Sequence, residues 1–196
     1  MILINMDWQD EGYLLSKHNF NENSIIIEAF TLNHGKYTGI VYGGSSRKQK
    51  KNFQAGNKIL LDWKSKNENK TGYFKVELLD PISPLFFDDK KKSVCILSAT
   101  SLLKILLPER QVNEKIYINF ENMMNNLKLS NWIKLYIEWE LSLIKELGYE
   151  ESSYINHNIS IKKSLAFNKN LLMENFIIPN KLKFPLFRNI LENYFI

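Results

Sequence analysis

In the first eighty residues apolar and polar side chains alternate in short runs, the period of half-buried strands. From Lys58 to Lys66, Ile59, Leu61 and Trp63 fall on one side and Leu60, Asp62 and Lys64 on the other. From Tyr73 to Leu79, Phe74, Val76 and Leu78 oppose Tyr73, Lys75 and Glu77. Ser24 to Thr31 is dense in β-branched and aromatic residues, which fit a pleated surface. Tyr13 to Ser16 and Lys36 to Tyr42 supply two more strands, and Asn33-His34-Gly35 marks a turn ahead of the latter. Five short strands with turns between them predict a small closed barrel or sandwich. The one long gap, Ser45–Asn57, lies between the third and fourth strands.

Asp80 to Pro84 (DPISP) closes this part, because two prolines so close together stop a strand and bar an immediate helix. Beyond it the apolar period becomes helical. Ser93 to Leu107 carries Val94, Leu97, Leu102, Ile105 and Leu106 and stops at Pro108. Glu114 to Leu127 carries Ile116, Phe120, Met123, Met124 and Leu127. Ser130 reads as the N-cap, and Gly148 as the C-cap, of a long helix to Leu147 with the stripe Trp132, Tyr136, Trp139, Leu143 and Leu147. The signal weakens after Glu151. Phe184 to Ile196 reads as a last helix, packed by Leu186, Phe187, Ile190, Leu191 and Phe195.

Charge sharpens the picture. The net charge of +5 says little alone, since an A+T-rich genome also enriches lysine, asparagine and isoleucine. Placement says more. Asn33 to Lys75 holds ten basic residues against two acids, and the rest of the chain holds 16 basic against 19 acidic. Compositional drift would spread lysine evenly, so the excess marks a basic face. Its densest part is GKYTGIVYGGSSRKQKK, Gly35–Lys51: a strand that ends in a glycine pair and empties into Arg47, Lys48, Lys50 and Lys51. A cationic loop at a sheet edge suits a polyanion better than a small substrate. Lysine and arginine neutralise phosphates and release counterions, and Tyr37, Tyr42 or Phe53 could stack bases. In a five-stranded oligonucleotide-binding (OB) barrel the gap after the third strand is where a helix or long loop belongs, and here it carries the basic cluster. The expectation is an α+β chain, with an OB-fold nucleic-acid-binding domain over residues 1–80 and a helical domain over 81–196.

The remaining chemistry argues for binding over catalysis. The three histidines are scattered, and no glycine-rich loop has the spacing to wrap phosphates at a helix start. Asp88-Asp89 and Glu150-Glu151 flank element boundaries, where solvated charge explains them. Met123-Met124 and the Trp/Tyr stripe read as core. Cys95 is the single cysteine, so no disulfide forms within the chain and no cysteine zinc site exists. Its neighbours Val94 and Ile96 mark it as a buried apolar residue. No metal or cofactor is expected. The N-terminus lacks the basic and apolar regions of a signal peptide, and no stretch approaches the ~20 apolar residues of a membrane span, so the expected compartment is the cytoplasm.

Several runs, in order, resemble the bacterial recombination mediator family RecO: DEGYLLS at Asp10–Ser16, HGK at His34–Lys36, then GIVYGGSSRKQKK and FQAGNKILLDW at Phe53–Trp63. LLPER at Leu106–Arg110 and EWELSLIKELGY at Glu138–Tyr149 are similar to the family's helical-domain signature. The resemblance implies a non-enzymatic role in recombinational DNA repair. Such proteins bind single- and double-stranded DNA, anneal complementary strands, bind the tail of single-stranded-DNA-binding protein, and join RecR in loading recombinase at the nucleoid. It carries onto this chain Lys36, Arg47, Lys48, Lys50 and Lys51, with Lys58 and Lys64 beside them, as phosphate-neutralising groups. The chain departs from the family pattern at Glu138, where the family has arginine, and after Tyr149, where the match is poor. A four-cysteine zinc site, found in some relatives, cannot form here. The competing reading is a protein-binding adaptor whose barrel is mainly structural.

Overall fold

Strand β1, Trp8–Asn19, is buried on both faces through its middle, and that sets the architecture. Leu14 points into one hydrophobic core, while Tyr13 and Leu15 point into another. Successive side chains of a strand point to opposite faces, so these neighbours serve both cores; the pairing register with β2 shifts between Leu14 and Ser16. The computed structural model describes residues 7–46, 49, 52–65, 71–149 and 160–195. Strands β2 (Ser24–Thr31), β3 (Gly35–Tyr42), β4 (Lys58–Lys64) and β5 (Tyr73–Asp80) join β1 in a closed barrel of order β1-β2-β3-β5-β4. β3 and β5 run parallel and meet at one pair, Ile40 opposite Tyr73; the other neighbours are antiparallel.

The barrel interior is filled by Leu14, Ile25, Ile27, Ala29, Val41, Ile59, Leu61, Trp63 and Phe74. These are the inward members of the alternating runs. Phe53, from the chain between β3 and β4, plugs the same core at 1% exposure.

A 3₁₀ turn at Ser83–Phe86 leads into five described helices: α1 (Lys90–Leu106), α2 (Glu114–Asn125), α3 (Trp132–Glu146), α4 (Ile161–Leu172) and α5 (Leu186–Asn193). α4 continues into a single π-helical turn, Met173–Ile177. Asp89 caps α1 by accepting from the Lys92 N–H at 3.1 Å, which accounts for one of the paired aspartates. Asn113 caps α2 in the same way. Asn131, not Ser130, precedes α3, and its side chain makes no capping bond. Gly148 follows that helix with φ of +98°, as its position in the sequence suggests.

The helices share one core with Tyr13, Leu15 and Phe30 of the barrel. α2 and α3 bury the predicted stripes. α1 does not: Cys95, Ile96, Ala99, Leu102 and Leu103 are buried, while Val94, Leu97, Ile105 and Leu106 are only half-buried. α1 is apolar around most of its circumference, so periodicity cannot choose its inner face. In α5, Leu186 is 67% exposed, and the fully buried positions are Leu191 and Arg188.

Arg188 is the largest fully buried side chain described. Its Nε donates to Glu140 Oε1 at 2.5 Å, and Nη2 donates to Glu140 Oε2 at 3.0 Å and to the Leu165 carbonyl at 2.7 Å. The Tyr136 hydroxyl adds a bond to Glu140 Oε1 at 3.0 Å. Burial works against the guanidinium's charge, but Glu140 beside it raises its pKa above the usual arginine range. This pair joins α5 to α3. Arg188→Met is expected to lose about 3–5 kcal/mol in urea unfolding, because it strands the Glu140 carboxylate in the core. The double change E140L/R188M is expected to recover most of that loss, since a buried pair stabilises little against well-packed apolar side chains.

Candidate nucleic-acid interface

The outward positions of β3 and β5 diverge beyond their single pair, and a cleft of about 350 Å³ opens there. Tyr42 at the end of β3 and Tyr73 at the start of β5 line it, with ring centroids 6.0 Å apart. They are 68% and 40% exposed, unusual for rings that a core would otherwise take. Gly43 leaves β3 at φ +74°, a conformation that favours glycine, and turns the chain away from Tyr42. Gly44, Gln49 and Phe53 form the wall on that side. Arg47, Lys48, Lys50 and Lys51 belong to this connection by sequence but lie outside the described residues. Lys75 also lines the cleft; its ammonium is 3.8 Å from Glu77, and both side chains are well exposed, so the pair is weak. Lys64 lies opposite Tyr73 on β4, half-buried.

The other predicted cations sit elsewhere. Lys36 is 8% exposed, and its ammonium donates to the Lys104 carbonyl in α1 at 2.7 Å. Lys58 reaches Glu11 and Glu121 at 3.0 Å each. Burial disfavours the Lys58 charge, but the two carboxylates outweigh it and raise its pKa above the usual lysine range. Lys36, expected to face phosphate, instead binds inside the protein, and Lys58, half-buried, is held by carboxylates where the barrel meets the helices. The stacking expectation also divides: Tyr42 is open, Phe53 is core, and Tyr37 is half-buried against Trp8 and Trp63. Sequence reasoning passed over Tyr73 as a stacking ring, although its place on the polar side of β5 already marked it as outward.

At the opposite end of β3 the motifs quoted from the sequence meet one another. The Asp10 carboxylate accepts from the Asn33 N–H at 2.8 Å, from the Asn33 amide at 2.9 Å and bonds His34 Nδ1 at 3.0 Å. The Arg110 N–H donates to the Lys36 carbonyl at 2.8 Å, and the Thr38 hydroxyl donates to Glu109 Oε1 at 2.9 Å. Gly35, at φ +77°, lies so close to the Gln111 backbone that a Cβ there would collide with its carbonyl oxygen. His34 is thus held in its turn by Asp10. His18 faces the Lys104 ammonium at 3.1 Å. Cys95 is fully buried, and burial pushes its thiol pKa up, away from reactivity. Among the described residues no cluster of three His, Cys, Asp or Glu could hold a metal ion, and no described helix is long and apolar enough to cross a membrane.

A closed five-stranded barrel of this order, with a helical part after it, is an OB-fold protein carrying an α-helical extension. The chain belongs to the RecO family. Residues 6–82 match the family model for Recombination protein O N terminal, and residues 88–152 match that for Recombination protein O C terminal. The DNA repair protein RecO of Roseobacter denitrificans is 34% identical over 145 residues, 74% of this chain and 60% of that protein. The DNA repair protein RecO of Wolbachia from Drosophila simulans is 33% identical over 164 residues, 83% of this chain and 68% of that protein. Against several such relatives the chain spans about 60% of their length.

The Asp10 carboxylate ties pH to the stability of this junction. Burial alone would raise the Asp10 pKa, but His34, Asn33 and Thr31 hydrogen-bond the carboxylate and leave it lowered. A depressed carboxylate stabilises the fold above its unfolded pKa of about 3.9, and that stability fades as pH falls through the lower folded value. Asp10→Asn is expected to cost about 1–3 kcal/mol at neutral pH in urea unfolding. The gap between parent and variant should narrow as the pH is lowered below about 4.

Proposed function

We propose that this chain is a DNA-binding recombination mediator acting in DNA repair, and that it divides into a binding barrel over residues 1–80 and a helical domain over 81–196. It grips phosphodiester backbones with cations and transforms nothing covalently. The observation that carries the reading is the β3–β5 cleft: two exposed tyrosines beside Lys75, at the root of the connection that bears Arg47, Lys48, Lys50 and Lys51. The relatives' name, DNA repair protein RecO, supports it. Aromatic faces take bases of any sequence, and the cations take the backbone. The phosphate-facing set is then Arg47, Lys48, Lys50, Lys51, Lys64 and Lys75, with Lys36 and Lys58 holding the barrel to the helices. Annealing needs no catalytic group on this view. A cationic surface that holds two strands loosely lowers their repulsion, and base pairing drives the rest.

RecR and single-stranded-DNA-binding protein are the partners the family resemblance implies. For the acidic tail of the latter, the groove between α2 and α3 is a poor host. Glu138 lines it with Asn119, Asn122, Asn126 and Ser142, and a carboxylate there repels an acidic peptide.

Replacing Arg47, Lys48, Lys50 and Lys51 together by Ala is expected to flatten log affinity against log salt by roughly three units, about 0.7–0.9 for each phosphate left without its cation. A slope equal to the parent's would remove the loop from the site and favour the adaptor reading. The pair Y42A/Y73A is expected to lose about 1–3 kcal/mol per stacked base on single strands, with little change on duplex. Fluorescence anisotropy with each DNA checks both.

A further inference from the structure

Three rings form a column that starts in the barrel core, where Trp63 packs on Phe74 at 4.7 Å, and ends at His34 before β3. Trp63 lies at the bottom, 3% exposed. Trp8 stacks on it, with centroids 5.9 Å apart and planes at 24°. His34 stacks on Trp8 at 4.0 Å and 8°, nearly parallel. Trp8 and His34 are half-buried, and the His34 side chain at the column's end is 30% exposed. The bond from Nδ1 to Asp10 fixes the ring in its plane, so the outer face of the imidazole is presented ready-made. Tyr37 packs edge-on against both Trp8 and His34. The exposed Arg110 places its guanidinium 5.4 Å from the Tyr37 ring centre. Arg110 sits at φ +60°, a left-handed conformation that costs a non-glycine residue about 1–2 kcal/mol. The Arg110 backbone is held there by its N–H bond to the Lys36 carbonyl, which brings its side chain alongside the column.

We infer that the Trp63–Trp8–His34 column is a second base-stacking platform, on which an unpaired nucleobase of single-stranded DNA extends the stack over His34 while Arg110 takes the adjoining phosphate. This rests on the DNA-binding reading above and adds a subsite at the opposite end of β3. A base has the flat π-face that such a column continues, and an arginine beside a stack suits the phosphate linked to it. Two sites on one strand let a single-stranded chain be held at two points with its bases splayed, the state from which a complementary strand pairs.

The test uses the full chain, fluorescent oligo(dT), the same oligonucleotide built with abasic sites, and two variants. His34→Ala is expected to weaken oligo(dT) binding about five- to a hundredfold, the range for one stacked base, with the salt slope unchanged. His34→Phe keeps a flat ring and is expected to stay within about threefold of the parent. On the abasic strand, parent and His34→Ala are expected to bind alike. The inference is overturned if His34→Ala matches the parent on oligo(dT), if its loss persists on the abasic strand, or if His34→Phe is as weak as His34→Ala. Should the parent bind neither strand, the DNA-binding reading fails and takes this subsite with it. If the parent binds and any of the three contrary results appears, the subsite alone fails.

Discussion

Lys36 ties the two parts of the molecule together beside the apolar core they share. Its ammonium donates to the Lys104 carbonyl of α1, and its own carbonyl accepts the Arg110 N–H. One residue of β3 is therefore tied to the helical part by side chain and by backbone. Both bonds lie at a buried position, where an unmade polar contact is costly. β3 is fixed as a consequence, and each candidate surface projects from one of its ends. The His34 column stands before it, and the Tyr42–Tyr73 cleft opens after it.

The same junction decides how positive charge is distributed. Lys104 contacts Glu28 at 2.7 Å, and Ser16 and His18 at 3.1 Å. Lys58 lies between Glu11 and Glu121. These cations are neutralised where barrel meets helix, so they add little to the outer field. Of the described cations between Asn33 and Lys75, Lys64 on β4 and Lys75 on β5 lie outside this junction.

The helical part is held at its far end by an ionic contact within an apolar core. Glu140 lies in the stretch that matches the family's C-terminal domain, and Arg188 lies beyond the matched residues. The chain after residue 160 thus docks on the matched region by a bidentate pair whose geometry demands both partners. Desolvation makes such a pair a device for placing α5 uniquely more than for adding stability.

Strand alternation, the DPISP break and the stripes of α2 and α3 were all legible in the sequence, because side-chain period is a local property that burial on one face imposes. That made the α+β order and a five-stranded barrel readable; apolar neighbours, not period, marked Cys95 as core. The chain was silent where no amphipathic period existed. α1 is apolar on most sides, so only tertiary packing chose Ile96, Ala99 and Leu103 as its inner face. The last helix was readable from its apolar residues, but not that Arg188 on it is buried, because the Glu140 that pairs with it lies on α3, far away in sequence. Net charge and loop position pointed to a polyanion, but not to which lysines remain open to it. That was decided by tertiary structure: Lys36 and Lys58 lie within reach of carboxylates and carbonyls supplied by distant parts of the chain, and sequence spacing holds no record of those distances.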